Sequence, residues 1–142
     1  MPADRVLVDA GPLIAWFSAN DRHHRACVRT LKRHRGPLYT AWPAVTEAQH
    51  LLSASGDAQD ALLKLIEGAS LIPLELGTEE IPRIRELMRK YRDLPMDFSD
   101  AVLVSIAERE NISTVFTVDR DFAHYRPRHA HAFRLLPKHA EG

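Results

Sequence analysis

A single cysteine, Cys27, stands in a chain of 142 residues. It cannot close an internal disulfide or build a cysteine-rich zinc site, so a reducing, cytoplasmic setting is expected. No apolar run approaches the roughly eighteen residues that a membrane span requires, so no membrane association is expected. The start, Met1-Pro2-Ala3-Asp4-Arg5, enters an apolar stretch with no signal-peptide region. Charge of one sign is not in excess: Lys+Arg and Asp+Glu each number 19, which removes any bulk-charge argument for nucleic acid. HExxH, paired CxxC, P-loop and GxSxG patterns are all missing, which disfavours zinc, nucleotide-phosphate and serine-nucleophile chemistry. The histidines do not restore zinc. His23 and His24 are adjacent and cannot face one way on a helix, and His129 and His131 lack a matching pair. No repeat, linker or low-complexity segment divides the chain, so residues 1–142 are expected to form one domain.

What is present is an alternation of strand and helix signals. Arg5–Val8 is a short apolar run of the buried-strand type. A helix is expected from Pro12, with Asp9 or Gly11 near its start and an apolar side of Leu13, Ile14, Trp16 and Phe17. Asn20-Asp21 reads as a break and N-cap for a basic helix, which Gly36-Pro37 ends. Leu38–Thr40 reads as a strand, Pro43–Ser53 as a helix, and Ala58–Glu67 as a helix closed by Gly68. Ser70–Leu74 reads as a strand whose Pro73 argues for its end or a sheet edge. A long helix over Glu79–Tyr91, a helix over Asp100–Glu110 capped by Asp97 or Ser99, a strand over Ser113–Val118 and a last strand over Phe133–Leu135 complete the series. This alternation predicts an α/β fold, a three-layer sandwich with a mainly parallel central sheet.

In such sheets ligands bind beyond the carboxyl ends of the strands, and two acids sit there. Val6-Leu7-Val8 runs into Asp9, and Thr114–Val118 runs into Asp119. Glu47 lies at the edge of an apolar helical stripe, three after Ala44 and four before Leu51. Asp100 has Leu103, Val104 and Ala107 on its own face. Each has a plain structural role open to it: Asp9 and Asp119 as caps, Glu47 as a side chain reaching solvent, Asp100 as an acid favoured by the helix dipole. Together they suggest a shared site. Two carboxylates about 4 Å apart repel by roughly 4 kcal/mol at an effective dielectric of about 20. Several such pairs would rival a domain's whole stability of about 5–15 kcal/mol. Converging acids must therefore protonate, spread apart or bind a cation. An all-oxygen set points to magnesium, with manganese as a substitute, over zinc. Asp97 and Asp121 read as loop surface or support.

Positive charge is local. Arg22, Arg25, Arg29, Lys32, Arg33 and Arg35 follow one another with no acid between, and Arg126, Arg128, Arg134 and Lys138 repeat the bias near the end. These are either solvated surfaces or a basic rim for a polyanion around an acidic centre.

The acids and their neighbours, in order, resemble a known set. Val-Asp-Ala-Gly-Pro-Leu-Ile-Ala-Trp-Phe around Asp9, Val-Thr-Glu-Ala around Glu47, Asp-Phe-Ser-Asp-Ala-Val-Leu-Val around Asp100 and Phe-Thr-Val-Asp-Arg-Asp-Phe around Asp119 are similar to the acidic motifs of the PIN-domain nucleases. The short single-domain form resembles the VapC toxins of bacterial toxin–antitoxin pairs. The resemblance implies a PIN-like fold and a magnesium-dependent endoribonuclease with Asp9, Glu47, Asp100 and Asp119 as catalytic metal ligands. Asp97 falls where some relatives carry an extra acid, so the Asp97–Asp100 pair leaves the ligand open, with Asp100 preferred for its apolar face. Thr117 matches a hydroxyl two before the last acid. A homodimer and a separate antitoxin protein are also implied. Arg22, Arg25, Arg29, Arg126 and Arg128 are the expected RNA contacts. The alternative is a catalytically inactive PIN-like module that binds RNA or protein. Phosphatase-like use of Asp9 is disfavoured because the second residue on is Gly11, not an acid.

Overall fold

The computed structural model describes residues 5–138. The start, Met1–Asp4, and residues 139–142 lie outside the described residues. Five strands form one sheet in the order β3-β2-β1-β4-β5. They are β1 (Val6–Val8), β2 (Leu38–Ala41), β3 (Leu71–Leu74), β4 (Thr114–Phe116) and β5 (Arg134–Leu136), and every pairing is parallel. Among the described residues six α-helices lie between β1 and β4, α1 (Ala10–Phe17), α2 (His24–Arg33), α3 (Trp42–Leu51), α4 (Gly56–Glu67), α5 (Ile81–Lys90) and α6 (Phe98–Glu110), and a 3-10 turn lies between β4 and β5.

The three-layer expectation holds, and side-chain alternation shows why. Val6, Val8 and Phe116 point to the face covered by α1–α4, while Leu7 and Val115 point to the face covered by α5 and α6. Each strand is thus apolar on both faces, as a sheet buried between two helical layers requires. Helix α6 is buried from Ser99 through Ala107, so it runs through the core with little solvent face. Pro73 sits in β3, an edge strand, where its missing N–H costs no ladder bond.

Chain order decides where a ligand can enter. The chain steps outward from β1 to β2 to β3, then crosses to β4 on the other side of β1. The order reverses between β1 and β4, whose carboxyl ends open a crevice between their following loops. Asp9 and Asp119 follow those two strands.

Several boundaries differ from expectation, each for a local reason. Helix α1 starts at Ala10 rather than Pro12, because the Asp9 carboxylate caps it directly. Asp21 does not cap α2. It accepts the His23 N–H at 2.8 Å and closes a turn, and α2 starts at His24. Thr78–Glu80 forms a 3-10 turn before α5 rather than part of one long helix. Helix α6 starts at Phe98 because Asp97, not Ser99, is its cap. Strand β4 is shorter than Ser113–Val118, and β5 lies one residue later than expected.

Candidate active site at the carboxyl edge

Asp9 is 8% exposed although it is an acid. One carboxylate oxygen accepts the Ala10 N–H at 2.8 Å, and the other accepts the Thr117 hydroxyl at 2.9 Å. Thr117 in turn accepts the Asp119 N–H at 3.0 Å, so one buried hydroxyl ties the end of β1 to the turn after β4. Asp119 accepts the Asp121 N–H at 2.9 Å and caps a short 3-10 turn. The cap role and a ligand role coexist, since each carboxylate keeps lone pairs to spare.

Asp97 and Asp100 separate in role. Asp97 accepts the Asp100 N–H at 2.8 Å as the N-cap of α6 and is exposed. Asp100 is 7% exposed and closes the reciprocal contact from the Asp97 N–H at 3.4 Å. Asp100 also accepts the hydroxyl of Tyr125 at 3.1 Å, and Tyr125 is fully buried. No motif or spacing marked Tyr125 in the sequence. Only the fold carries it across to α6, where it stacks edge-on against Phe122 at 5.0 Å.

The acids share one field. Burial pushes the Asp9 carboxyl up to about 6, partly offset by its hydrogen bonds from Ala10 and Thr117, with Glu47 and Asp119 adding to the rise. Burial pushes Asp100 up to about 8, reinforced by Asp9, Asp97 and Asp119. Glu47 is exposed, yet partial desolvation and then Asp97 and Asp119 raise its pKa as well. Asp9, Glu47, Asp100 and Asp119 therefore feel one another, with Asp97 at the rim. Among the described residues, no three acidic, histidine or cysteine side chains form a closed ligand set. The donor chemistry nonetheless fits a hard divalent cation: all oxygen, with Asp9 and Asp100 buried and costly to ionise without a positive partner.

The expected RNA contacts fall in different places. Arg22 and Arg29 line a cavity of about 640 Å³ that includes Thr117 and Asp119 in its wall. Arg25 faces a different, shallower groove on α2. Arg126 donates to the carbonyls of Ala123 and Tyr125, and Arg128 pairs with Glu86 at 3.1 Å. Arg33 and Lys138, both within the basic runs read from the sequence, and Arg120, which that reading did not single out, join Arg22 and Arg29 at the cavity. Trp42 and Phe98 open α3 and α6 and are 50% and 44% exposed. Cys27 is buried and its thiol is pushed up to about 12 by that burial, so it is an inert core residue.

The PIN domain family model matches residues 6–126, which spans every one of these acids. The chain belongs to the PIN domain family. This PIN domain is 27% identical over 135 residues to ribonuclease VapC26 of Mycobacterium tuberculosis, covering 93% of this chain and 100% of that protein. Among solved structures it is similar to VapC20 of M. tuberculosis, a sarcin–ricin-loop-cleaving toxin, with TM-score 0.79 and 16% identity over 89% of this chain and 98% of that one. A toxin–antitoxin complex from Klebsiella pneumoniae matches with TM-score 0.65 and 17% identity over 83% and 90% of the two chains. These structural matches agree with the five-stranded parallel sheet and its helical layers.

Proposed function

We propose that this PIN domain is a magnesium-dependent endoribonuclease and the toxin of a toxin–antitoxin pair. The observation that carries the reading is the meeting of Asp9, Glu47, Asp100 and Asp119 at the strand crossover, in a chain whose relative VapC26 is a ribonuclease. Asp9 and Asp100 would hold the cation, with Asp119 and Glu47 contributing directly or through water; manganese would substitute. When bound, the cation stabilises charge on the phosphate and lowers the pKa of the attacking water.

The chain's own groups do the rest. Thr117 fixes the rotamer of Asp9 by donating to it, and Tyr125 does the same for Asp100 from beneath. Glu47 is exposed and would accept a proton from the attacking water. Exposed Trp42 and Phe98 offer faces on which unpaired bases stack, a contact worth about 1–3 kcal/mol per base. That suits single-stranded or loop RNA, whose bases are free to be splayed out. The same reading gives the chain an antitoxin partner, a homodimeric state and a cytoplasmic site of action. The antitoxin is supported by the K. pneumoniae toxin–antitoxin complex among the similar structures.

The test is RNA cleavage with and without magnesium by the wild type, Asp9→Asn and Asp100→Asn. Loss of cleavage in both variants and in chelator is expected. Unchanged cleavage in either variant refutes that acid's role. Mapping RNA ends after brief expression would then identify the target.

A further inference from the structure

Some basic residues of this chain are paired with acids, while others gather around one cavity. Arg5, Arg83, Arg109 and Arg128 all make ion pairs with glutamates. Arg22, Arg29, Arg33, Arg120 and Lys138 line the 640 Å³ cavity between α2 and the ends of β4 and β5. Among the described residues, none of these cavity cations pairs with a carboxylate. Asp119 is the one acid in the cavity wall, and it faces the acidic centre as well. Cations gathered around one concavity without partners repel one another, and an anion entering it relieves that repulsion.

The cavity is not uniformly polar. Val118, Leu135 and Pro137 give it an apolar wall, while Arg22, Arg29 and Arg33 come from the α2 side and Arg120 from the turn after β4. Its volume lies within the usual range for small-ligand sites, about 300–1,000 Å³. A flat apolar group bearing negative charge fits both surfaces, and a nucleotide is such a group. Thr117 and Asp119 belong to both the cavity and the acidic centre, so a ligand filling the cavity continues directly into that centre.

We propose that this cavity is a nucleotide subsite next to the cut: it takes the base against Val118, Leu135 and Pro137 and the adjoining phosphate on Arg22, Arg29, Arg33, Arg120 and Lys138. The proposal rests on reading the acidic centre as the place of RNA cleavage. It separates Arg22 and Arg29 from Arg25, Arg126 and Arg128, and it adds Arg33 from the same helix as Arg29 and Arg120 and Lys138 from two further segments. A polyanionic RNA strand is favoured over an acidic peptide because the wall is continuous with a centre suited to phosphodiester chemistry.

The experiment uses Arg29→Gln and Arg33→Gln, with Arg89→Gln on α5 as the control on the other face of the sheet. Binding of a short single-stranded RNA is measured by fluorescence anisotropy at several salt concentrations, in the Asp100→Asn background to prevent cutting. Cleavage kinetics are measured separately in the otherwise wild-type chain. Each cavity variant is expected to weaken RNA binding roughly tenfold and to flatten the salt slope by about 0.7 for each lost phosphate contact. In cleavage each should raise KM far more than it lowers kcat, and Arg89→Gln should do neither. Unchanged affinity and slope in both cavity variants would overturn the proposal. So would unchanged RNA binding accompanied by lost binding of a glutamate-rich peptide, which would assign the cavity to an acidic protein segment. If the cavity variants lose RNA binding but the wild type cuts no RNA, the subsite stands and the nuclease reading falls.

Discussion

Replacing Asp9 with asparagine should make the cation-free protein more stable at pH 8, although it removes a residue of the proposed catalytic centre. The Asp9 carboxyl is raised from 3.8 to about 6, chiefly by burial. Between those values the native state holds a proton that the unfolded chain has already released. The native state therefore binds more protons in that window, and stability falls as pH rises through it. Above about pH 7 the full cost is present. A rise of about two units at about 1.4 kcal/mol per unit corresponds to roughly 3 kcal/mol. Asparagine carries no charge to desolvate and keeps an oxygen for the Ala10 N–H that Asp9 now accepts at 2.8 Å, though its amide nitrogen cannot accept the Thr117 hydroxyl, which returns about 1 kcal/mol of the gain. In EDTA, thermal unfolding followed by circular dichroism should place Asp9→Asn roughly 10 °C above the wild type at pH 8. The gap should close towards pH 4, and taking the difference between the two proteins cancels the titrating groups that Asp9 does not touch, while relief of Asp100, whose carboxyl Asp9 raises, adds to the gap in the same direction. Magnesium should then raise the wild-type Tm more than the variant's. Binding at a hundred times its Kd contributes about 2.7 kcal/mol, enough to offset most of the penalty. A variant no more stable than the wild type at pH 8, or a gap that does not widen from pH 5 to pH 8, would refute the reasoning.

Other consequences are as direct. Tyr125→Phe removes the hydroxyl that donates to Asp100 at 3.1 Å, a bond to a charged group worth about 1.5–3 kcal/mol. More magnesium should be needed for half-maximal cleavage, and the acidic limb of the pH–rate profile should move up, because the ionised form of Asp100 has lost a donor. Gly11→Ala would bring a Cβ to 2.4 Å from Val118 Cγ2, so urea unfolding should show a loss of about 1–3 kcal/mol. Adding Val118→Ala should recover most of it, whereas a neutral Gly11→Ala would contradict the packing. Arg83→Ala breaks the two-pronged contact to Glu108 at 2.9 and 2.7 Å and should cost about 2–3 kcal/mol near pH 7. Glu108 is held below its ordinary value in spite of its burial, by Arg83 first and then by Arg128. The stabilisation is therefore complete above about pH 5 and disappears as pH falls through the folded value, so wild type and variant should converge in acid. RNA affinity should not change in Arg83→Ala, since that arginine is already paired.

The sequence alone determined the layers of the fold and the residues worth watching. Alternation of strand and helix signals depends on local periodicity, and apolar strands such as Val6–Val8 carry their burial in composition. The ends of β1 and β4 could therefore be read, and with them Asp9 and Asp119. Local chemistry was less legible at helix starts. Asp97 and Ser99 both suit a cap, and only backbone geometry chose Asp97. Asp21 looked like a cap for α2 and instead closes a turn, since a short carboxylate can bond to its own chain in either way.

Tertiary structure alone decided what stands beside what. Tyr125 lies 25 residues from Asp100 and Thr117 lies 108 from Asp9, so no spacing rule could pair them. Crossing from β3 over to β4 created the crevice, and that choice of strand order is a global packing outcome. The arginines show the difference most plainly. A run of like charges in α2 was visible as sequence, but whether a guanidinium is free depends on whether a carboxylate from another element meets it. Arg128 meets Glu86, while Arg29 and Arg33 meet an open cavity. Periodicity acts over a few residues and is written in the chain. Contact between distant side chains forms only when the sheet and its two helical layers close, which is why the acids could be named early and their pairings could not.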